Sequence, residues 1–382
     1  MSVIPRAVMN LAFRPFFLLG SVFFVVALVR WGLFLNGWVS WPGALSPLTW
    51  HVHEMTVGFG VAIALGFLLT AVQNWTGMPG ISGWPLAVLV GFWLSGRVVL
   101  WFGPDVSPVW WVLPDLLCLG YGAFWFARPV IKQQQWRNLV FLPALLAIAV
   151  LHVALLWPSL RLYGSALLWC MALFMTVIGG RIIPMFTANR FGLPRSSEPL
   201  WQYWLLVSGT LALVVLVAMG LSGSMVGRAV FLVVALVHVR RAVRWYTPMI
   251  WQDSLIWTLH LSYWALPLTA AILVVAGPAT SLGHNAQHIL ALQGISLMIL
   301  AMVSRVSLGH TGRPLRAPIW LGLMAVFLMG GMLARVVLPV FLPSLTGIGF
   351  SLAVLLSAMG LAVFAVHYYP ILTAPRPDGR PG

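Results

Sequence analysis

The chain alternates long apolar runs with short connectors rich in Gly, Pro and Arg. Each run approaches or exceeds the roughly 20 residues that an α-helix needs to cross a bilayer. They are too long for barrel strands, and an open sheet would leave backbone groups unsatisfied in lipid. The pattern predicts an all-α polytopic membrane protein with about 12 transmembrane helices of roughly that length. They form a single transmembrane domain over 1–382, with spans near 13–35, 51–73, 84–101, 108–127, 138–157, 163–187, 200–221, 224–246, 251–276, 284–308, 319–338 and 344–369.

Composition strengthens the class. Hydrophobic residues make up 61% of the chain and charged ones 7%, with a mean hydropathy of +0.98. A soluble domain carries about a quarter charged residues, so that class is excluded. A net charge of +15 raises the question of nucleic acid. The arginines are scattered between spans with no basic domain, so the lipid bilayer is the expected partner and nucleic acid is not. Cys118 and Cys170 lie in separate apolar runs, form no CxxC motif and read as small buried residues. Arg6 and Arg14 precede the first run as in a signal peptide, but no small-x-small cleavage site follows and Arg30 interrupts its end. The first run is therefore read as a retained span.

Positive charge sets the expected orientation. With the N-terminus inside, the cytoplasmic connectors hold Arg128, Lys132 and Arg137, then Arg190 and Arg195, then Arg240, Arg241 and Arg244, then Arg313 and Arg316, and finally Arg376 and Arg380. The opposite loops hold little beyond Arg161. Both termini are then cytoplasmic.

The chemistry starts at Trp50-His51-Val52-His53-Glu54-Met55, where ionisable groups head an apolar run. Such groups at membrane depth are costly and mark functional candidates. On the assigned topology His51, His53 and Glu54 lie in the first outer turn of the second span, and His284 and His288 in the first outer turns of the tenth. His152 lies near the outer end of the fifth span, and Asp115 roughly 10 Å deep in the fourth by the helical rise. A deeper layer holds His238 and His260, about 20–25 Å from the outer boundary by the same rise, where they could face each other across a planar cofactor. His310 and His367 end the tenth and twelfth spans on the cytoplasmic side.

Spacing separates these candidates. His284 and His288 are i, i+4 and share a helical face, a sound pair for a transition metal. The alternative is a pair of interfacial histidines bonded to loop carbonyls. His51 and His53 are i, i+2, about 200° apart on a regular helix, so they share a site only if that turn is irregular. Glu54 and Asp115 are catalytic candidates for passing protons. Arg30, Arg97 and Arg335 stand at matching depth and could instead pair them as salt bridges. His238 and His260 could equally be satisfied buried histidines. Arg240, Arg241 and Arg244 would suit haem carboxylates and equally suit the positive-inside rule. Gly179-Gly180-Arg181 with Pro184 predicts a break in the sixth span, with Arg181 in need of a partner.

Taken together, several stretches resemble the NnrS family of bacterial inner-membrane proteins. They are Phe13-Arg14-Pro15-Phe16-Phe17, the His51 segment, Gly66-Phe67-Leu68-Leu69-Thr70-Ala71, Asn74-Trp75-Thr76-Gly77 and Gly180-Arg181-Ile182-Ile183-Pro184-Met185-Phe186-Thr187. Leu259-His260-Leu261, His288, Arg305 with Gly309-His310-Thr311-Gly312-Arg313, and Pro375-Arg376-Pro377-Asp378-Gly379 complete them. The resemblance implies a multi-pass protein of the nitric oxide response that carries haem b and copper. It raises His51, His53, Glu54, His260, His288 and His310 above the other candidates. His152, His284 and His367 have no match in the family pattern.

On this basis His51, His53, His284 and His288 are the expected metal ligands, and His260, with His238 or His310 opposite and Arg305 nearby, the expected haem site. Neutral imidazoles suit copper and haem iron, and nitric oxide binds both. The protein would either reduce nitric oxide, as an oxidoreductase fed by quinol or a redox protein, or bind it and relieve nitrosative stress without turnover. The rival class is a proton-coupled secondary transporter, which intramembrane His, Glu and Asp also suit. A third is a structural or regulatory subunit without metal.

Overall fold

Ser46 can accept a hydrogen bond and Pro47 cannot donate one, and together they start a helix. In the computed structural model, which describes residues 6–41, 45–102, 107–157, 164–316 and 318–379, Ser46 Oγ accepts from Thr49 N at 3.1 Å and the helix begins at Pro47. Thr280 does the same for the helix that carries His284 and His288, accepting from Gly283 N at 3.0 Å. Both caps lie upstream of the histidines, so the histidines sit on helix already formed.

In chain order the helices are α1 Phe13–Leu35, α2 Pro47–Thr76, α3 Gly83–Phe102, α4 Pro108–Lys132, α5 Trp136–Leu156 and α6 Ser165–Phe191. They continue with α7 Leu200–Ala218, α8 Met225–Trp245, α9 Ser254–Ala276, α10 Ser281–His310, α11 Ile319–Phe341 and α12 Pro343–Thr373. Among the described residues, 11 helices are long and apolar enough to cross a membrane. The exception, α8, has 21 residues and carries Arg228, Arg240, Arg241 and Arg244. It packs along α7 and α9 all the same. Arg161 and Arg380, used above for orientation, and Tyr163, the expected start of the sixth span, lie outside the described residues.

Three helices form the middle of the bundle. The apolar stretches of α2, α6 and α10 are 83%, 78% and 78% buried, against 33% to 56% in the other spans. These same three helices each contain a π-helical segment: Glu54–Val61 in α2, Met175–Gly179 in α6 and Ile289–Ser296 in α10. π-segments widen the turn by one residue and recur at functional sites. Gly58 and Gly60, Gly179, and Gly294 lie in them. The break expected in α6 takes this form, after which the helix runs on through Pro184. Arg181 finds its partners across the bundle, donating to Asn138 Oδ1 and to the Arg137 carbonyl, each at 2.7 Å.

Without a hydrophobic drive between helices in lipid, close packing and polar contacts hold the bundle. α12 packs along both α1 and α11, and Gly331 stands where a side chain would meet Ser357 Oγ. Cys118 and Cys170 are free and buried, as their apolar surroundings predicted.

Candidate metal centre

The turn that carries His51 and His53 is regular α-helix, Pro47–His53, and the π-segment begins only at Glu54. An i, i+2 pair on a regular helix points to opposite sides, and here the two histidines enter different groups.

His53 enters a fully buried network at the end of the bundle where α2 begins. Its Nε2 lies 2.9 Å from His152 Nδ1 on α5 and 3.5 Å from Asp115 Oδ2 on α4. Its Nδ1 lies 3.1 Å from Glu54 Oε1. Arg97, from α3, bridges both carboxylates: Nη1 donates to Glu54 Oε2 at 2.6 Å and Nη2 donates to Asp115 Oδ2. His152 Nε2 donates to the Val112 carbonyl at 3.1 Å. All five side chains are at most 5% exposed. Gly58 and Gly96 make room, since a side chain at the first would strike Arg97 and Glu54 and one at the second Asp115.

The hydrogen-bond directions carry a proton count. A carbonyl only accepts, so His152 must hold its proton on Nε2, and when neutral it accepts at Nδ1 from His53 Nε2–H. The remaining bond then has two forms. Either His53 is protonated on both nitrogens and donates to ionised Glu54, or neutral His53 accepts from protonated Glu54. The Glu54–His53–His152 chain thus holds one shared proton in either form. With that proton, two carboxylates and one guanidinium, the buried charge is balanced, as burial demands.

The same side chains could hold a metal. One ligand atom each from His53, Asp115 and His152 lie within 4.8 Å of one another. Two imidazoles and one carboxylate suit first-row transition metals such as copper or iron. A metal there takes the place of the proton on His53 Nε2, between the two imidazoles, because its ligand atoms must be deprotonated, and the proton between His53 Nδ1 and Glu54 stays. The donor set fits.

His51 goes the other way. Its ring stacks on Trp31 at 4.3 Å and 12°, and His288 lies near enough to interact electrostatically with His51, His284 and Arg335. The His284 and His288 rings are 6.4 Å apart. Nδ1 of both His51 and His288 is buried without a hydrogen-bond partner. Arg335 donates to Asn285 Oδ1, not to a carboxylate, and rests over Phe350. Arg30 lies over Trp41, Trp50 and Trp101. Of the three arginines considered as partners, Arg97 is the one that binds Glu54 and Asp115.

The deeper histidines hydrogen-bond to different neighbours. His238 Nδ1 lies 2.7 Å from Tyr263 Oη, which accepts from Arg241 Nη1 at 3.0 Å. Arg241 also donates to Glu198 Oε2 at 2.6 Å. His260 Nε2 donates at 2.9 Å to Thr187 Oγ1, whose own hydrogen goes to the Ile183 carbonyl at 2.8 Å. His310 packs on Phe13, its carbonyl accepting from Arg376 Nη1 at 3.0 Å. Arg305 lies 3.8 Å over the Phe186 ring. His367 Nδ1 donates to the Val363 carbonyl at 2.9 Å. Among the described residues, the fully buried imidazole nitrogens without a hydrogen-bond partner are His238 Nε2 and Nδ1 of His51 and His288. Of the expected haem residues, His238 is the one with such a nitrogen, while His260 Nε2 is taken by Thr187.

Asp115, His152 and Arg97 are the members of the network that lie outside the family motifs. Depth is their signal: it puts Asp115 and His152 in the outer layer and Arg97 among the partners for carboxylates. Gly58, Gly96 and the Val112 carbonyl gave none. A family model described as NnrS protein matches residues 7–376, nearly the whole chain. The chain belongs to that family. None of the curated proteins matches it.

Proposed function

We propose, from membership of the NnrS family, that this is a haem b- and copper-binding protein of the bacterial inner membrane that handles nitric oxide at a histidine-rich metal site near the outer face. A part in the nitric oxide response is what the family implies. The observation that carries the finer assignment is the convergence of His53, Asp115 and His152 to within 4.8 Å. In this assignment these three hold copper, Arg97 fixes both carboxylates, and Glu54 keeps or releases the proton shared with His53. Copper bound there supplies a redox centre with affinity for nitric oxide. His51, His284 and His288 form a neighbouring second group with two unpartnered nitrogens. His260, His238, His310 and Arg305 remain the candidates for holding haem b.

Metal content and the optical spectrum of purified variants test this. His53→Ala or His152→Ala should remove copper, and His288→Ala should change metal content or the haem spectrum. Unchanged metal and spectrum in all three would sink the assignment. Consumption of nitric oxide by the protein with a chemical reductant separates a reductase, fed in the cell by quinol or a redox protein, from a binding protein. The Glu54–His53–His152 chain also favours a second reading, a proton-coupled carrier. That protein would purify colourless and metal-free.

A further inference from the structure

Below the histidines, the bundle contains a half-open cavity of about 70 Å³. Phe17, Ile63, Met171, Met175, Met298 and Met302 represent its lining, which includes no polar side chain. It lies among α2, α6 and α10, the most buried spans, and each contributes lining from its π-segment: Gly60, Met175 with Ile178, and Ile295. A Cβ on Gly60 would lie 2.9 Å from Met171 Sδ, one on Gly179 3.3 Å from Met298 Cε, and one on Gly294 3.4 Å from Met175 Cε. The three π-segments and the methionines therefore form one structural unit around one space.

Its chemistry narrows the occupant. A buried water needs two to four polar partners, and this lining offers none, so the space stays dry. A lipid headgroup or a quinone carbonyl would likewise find no hydrogen bond there. Protein interiors are otherwise close-packed, and apolar voids that remain empty take up small apolar guests such as xenon. Methionine side chains are flexible and polarisable, and adapt to a guest of changing position. Ala64, Phe67, Ile178 and Ile299 on the rim are partly accessible and lie near the middle of their helices, so the mouth opens at hydrocarbon depth.

Location gives the cavity its use. The π-segment that reaches it through Gly60 begins at Glu54, and the one that reaches it through Ile295 begins directly after His288. Two helices thus lead from the cavity to the two histidine groups. We infer that the cavity is a dry reservoir through which a small uncharged molecule passes from the bilayer interior to the histidine sites. Naming that molecule as nitric oxide rests on the proposed function; the reservoir itself does not.

Xenon is the probe. Purified protein under xenon pressure should show the gas in this cavity, by crystallography or cryo-electron microscopy. Ile299→Phe and Val303→Phe, at the rim and in the lining on α10, should exclude it. In metal-loaded protein the same variants should slow nitric oxide association about tenfold, a barrier increase of about 1.4 kcal/mol. Metal content and melting temperature identify any variant that fails to fold, and two variants keep the test open if one does. Absence of xenon from the wild-type cavity, or an ordered acyl or detergent tail in its place, would overturn the inference. So would xenon excluded by both variants with association rates unchanged. Xenon in the cavity of a protein that never binds nitric oxide would leave the reservoir standing and remove the functional reading instead.

Discussion

His51 and His53 stand two residues apart on one regular turn and end in opposite electrostatic situations. The nitrogens of His53 both have partners, and its neighbours Glu54, Asp115, Arg97 and His152 are tied to it or to one another, with Arg97 Nε left unpartnered. His51 is stacked on Trp31 with a buried nitrogen left over, beside His288 with another. The first group is a charge-paired and nearly closed network, in which each member depends on the rest. The second is open and costs little to alter. Burying ionisable groups is tolerable only with full pairing. Leaving a donor or acceptor unpaired is a cost that ligand binding can relieve.

The contrast is broken most sharply at Arg97. Arg97→Met leaves Glu54 and Asp115 facing each other without a cation, and should destabilise the protein by about 3–5 kcal/mol. Denaturant or thermal unfolding in detergent would show it, and a loss near zero would mean the network is not charge-paired. Next, His53→Ala deprives Glu54 and His152 of their shared partner and should cost about 1–3 kcal/mol in the metal-free protein. His51→Ala should cost less, about 0.5–1.5 kcal/mol for the lost ring stacking. Equal losses at the two positions would mean that the two histidine groups do not differ in how tightly they are paired.

Glycines sharpen the same point. Gly58→Ala drives a methyl into the Arg97–Glu54 pair and should cost about 1–3 kcal/mol. Gly91→Ala, on the same α3 as Arg97 but facing open space, should be neutral or stabilising by up to about 1 kcal/mol. Melting temperatures of the two variants, measured side by side, give the comparison.

Much of this could be read in the chain. The apolar runs located the helices, since a spanning segment must be long and apolar regardless of its neighbours. The i, i+2 spacing already required His51 and His53 to diverge if the turn was regular, and Ser46 and Pro47 were present to make it so. Depth placed His152 and Asp115 near Glu54. It could not say that Arg97, and not Arg30 or Arg335, binds the two acids. That choice depends on which faces of α2, α3 and α4 meet. Nor could it assign the deeper histidines their neighbours, because Thr187 and Tyr263 carry no special signal.

By itself, then, the sequence determined that the protein is a bundle of membrane helices, with five of its nine histidines and two of its six acids expected towards one end. It did so through length, hydropathy and local helical geometry, which are properties of neighbours in the chain. Only the tertiary structure decided which of those groups touch, that Arg97 joins two carboxylates, and that three π-segments surround an apolar cavity. Those outcomes turn on how helices far apart in sequence rotate and pack against one another. No local rule fixes that rotation.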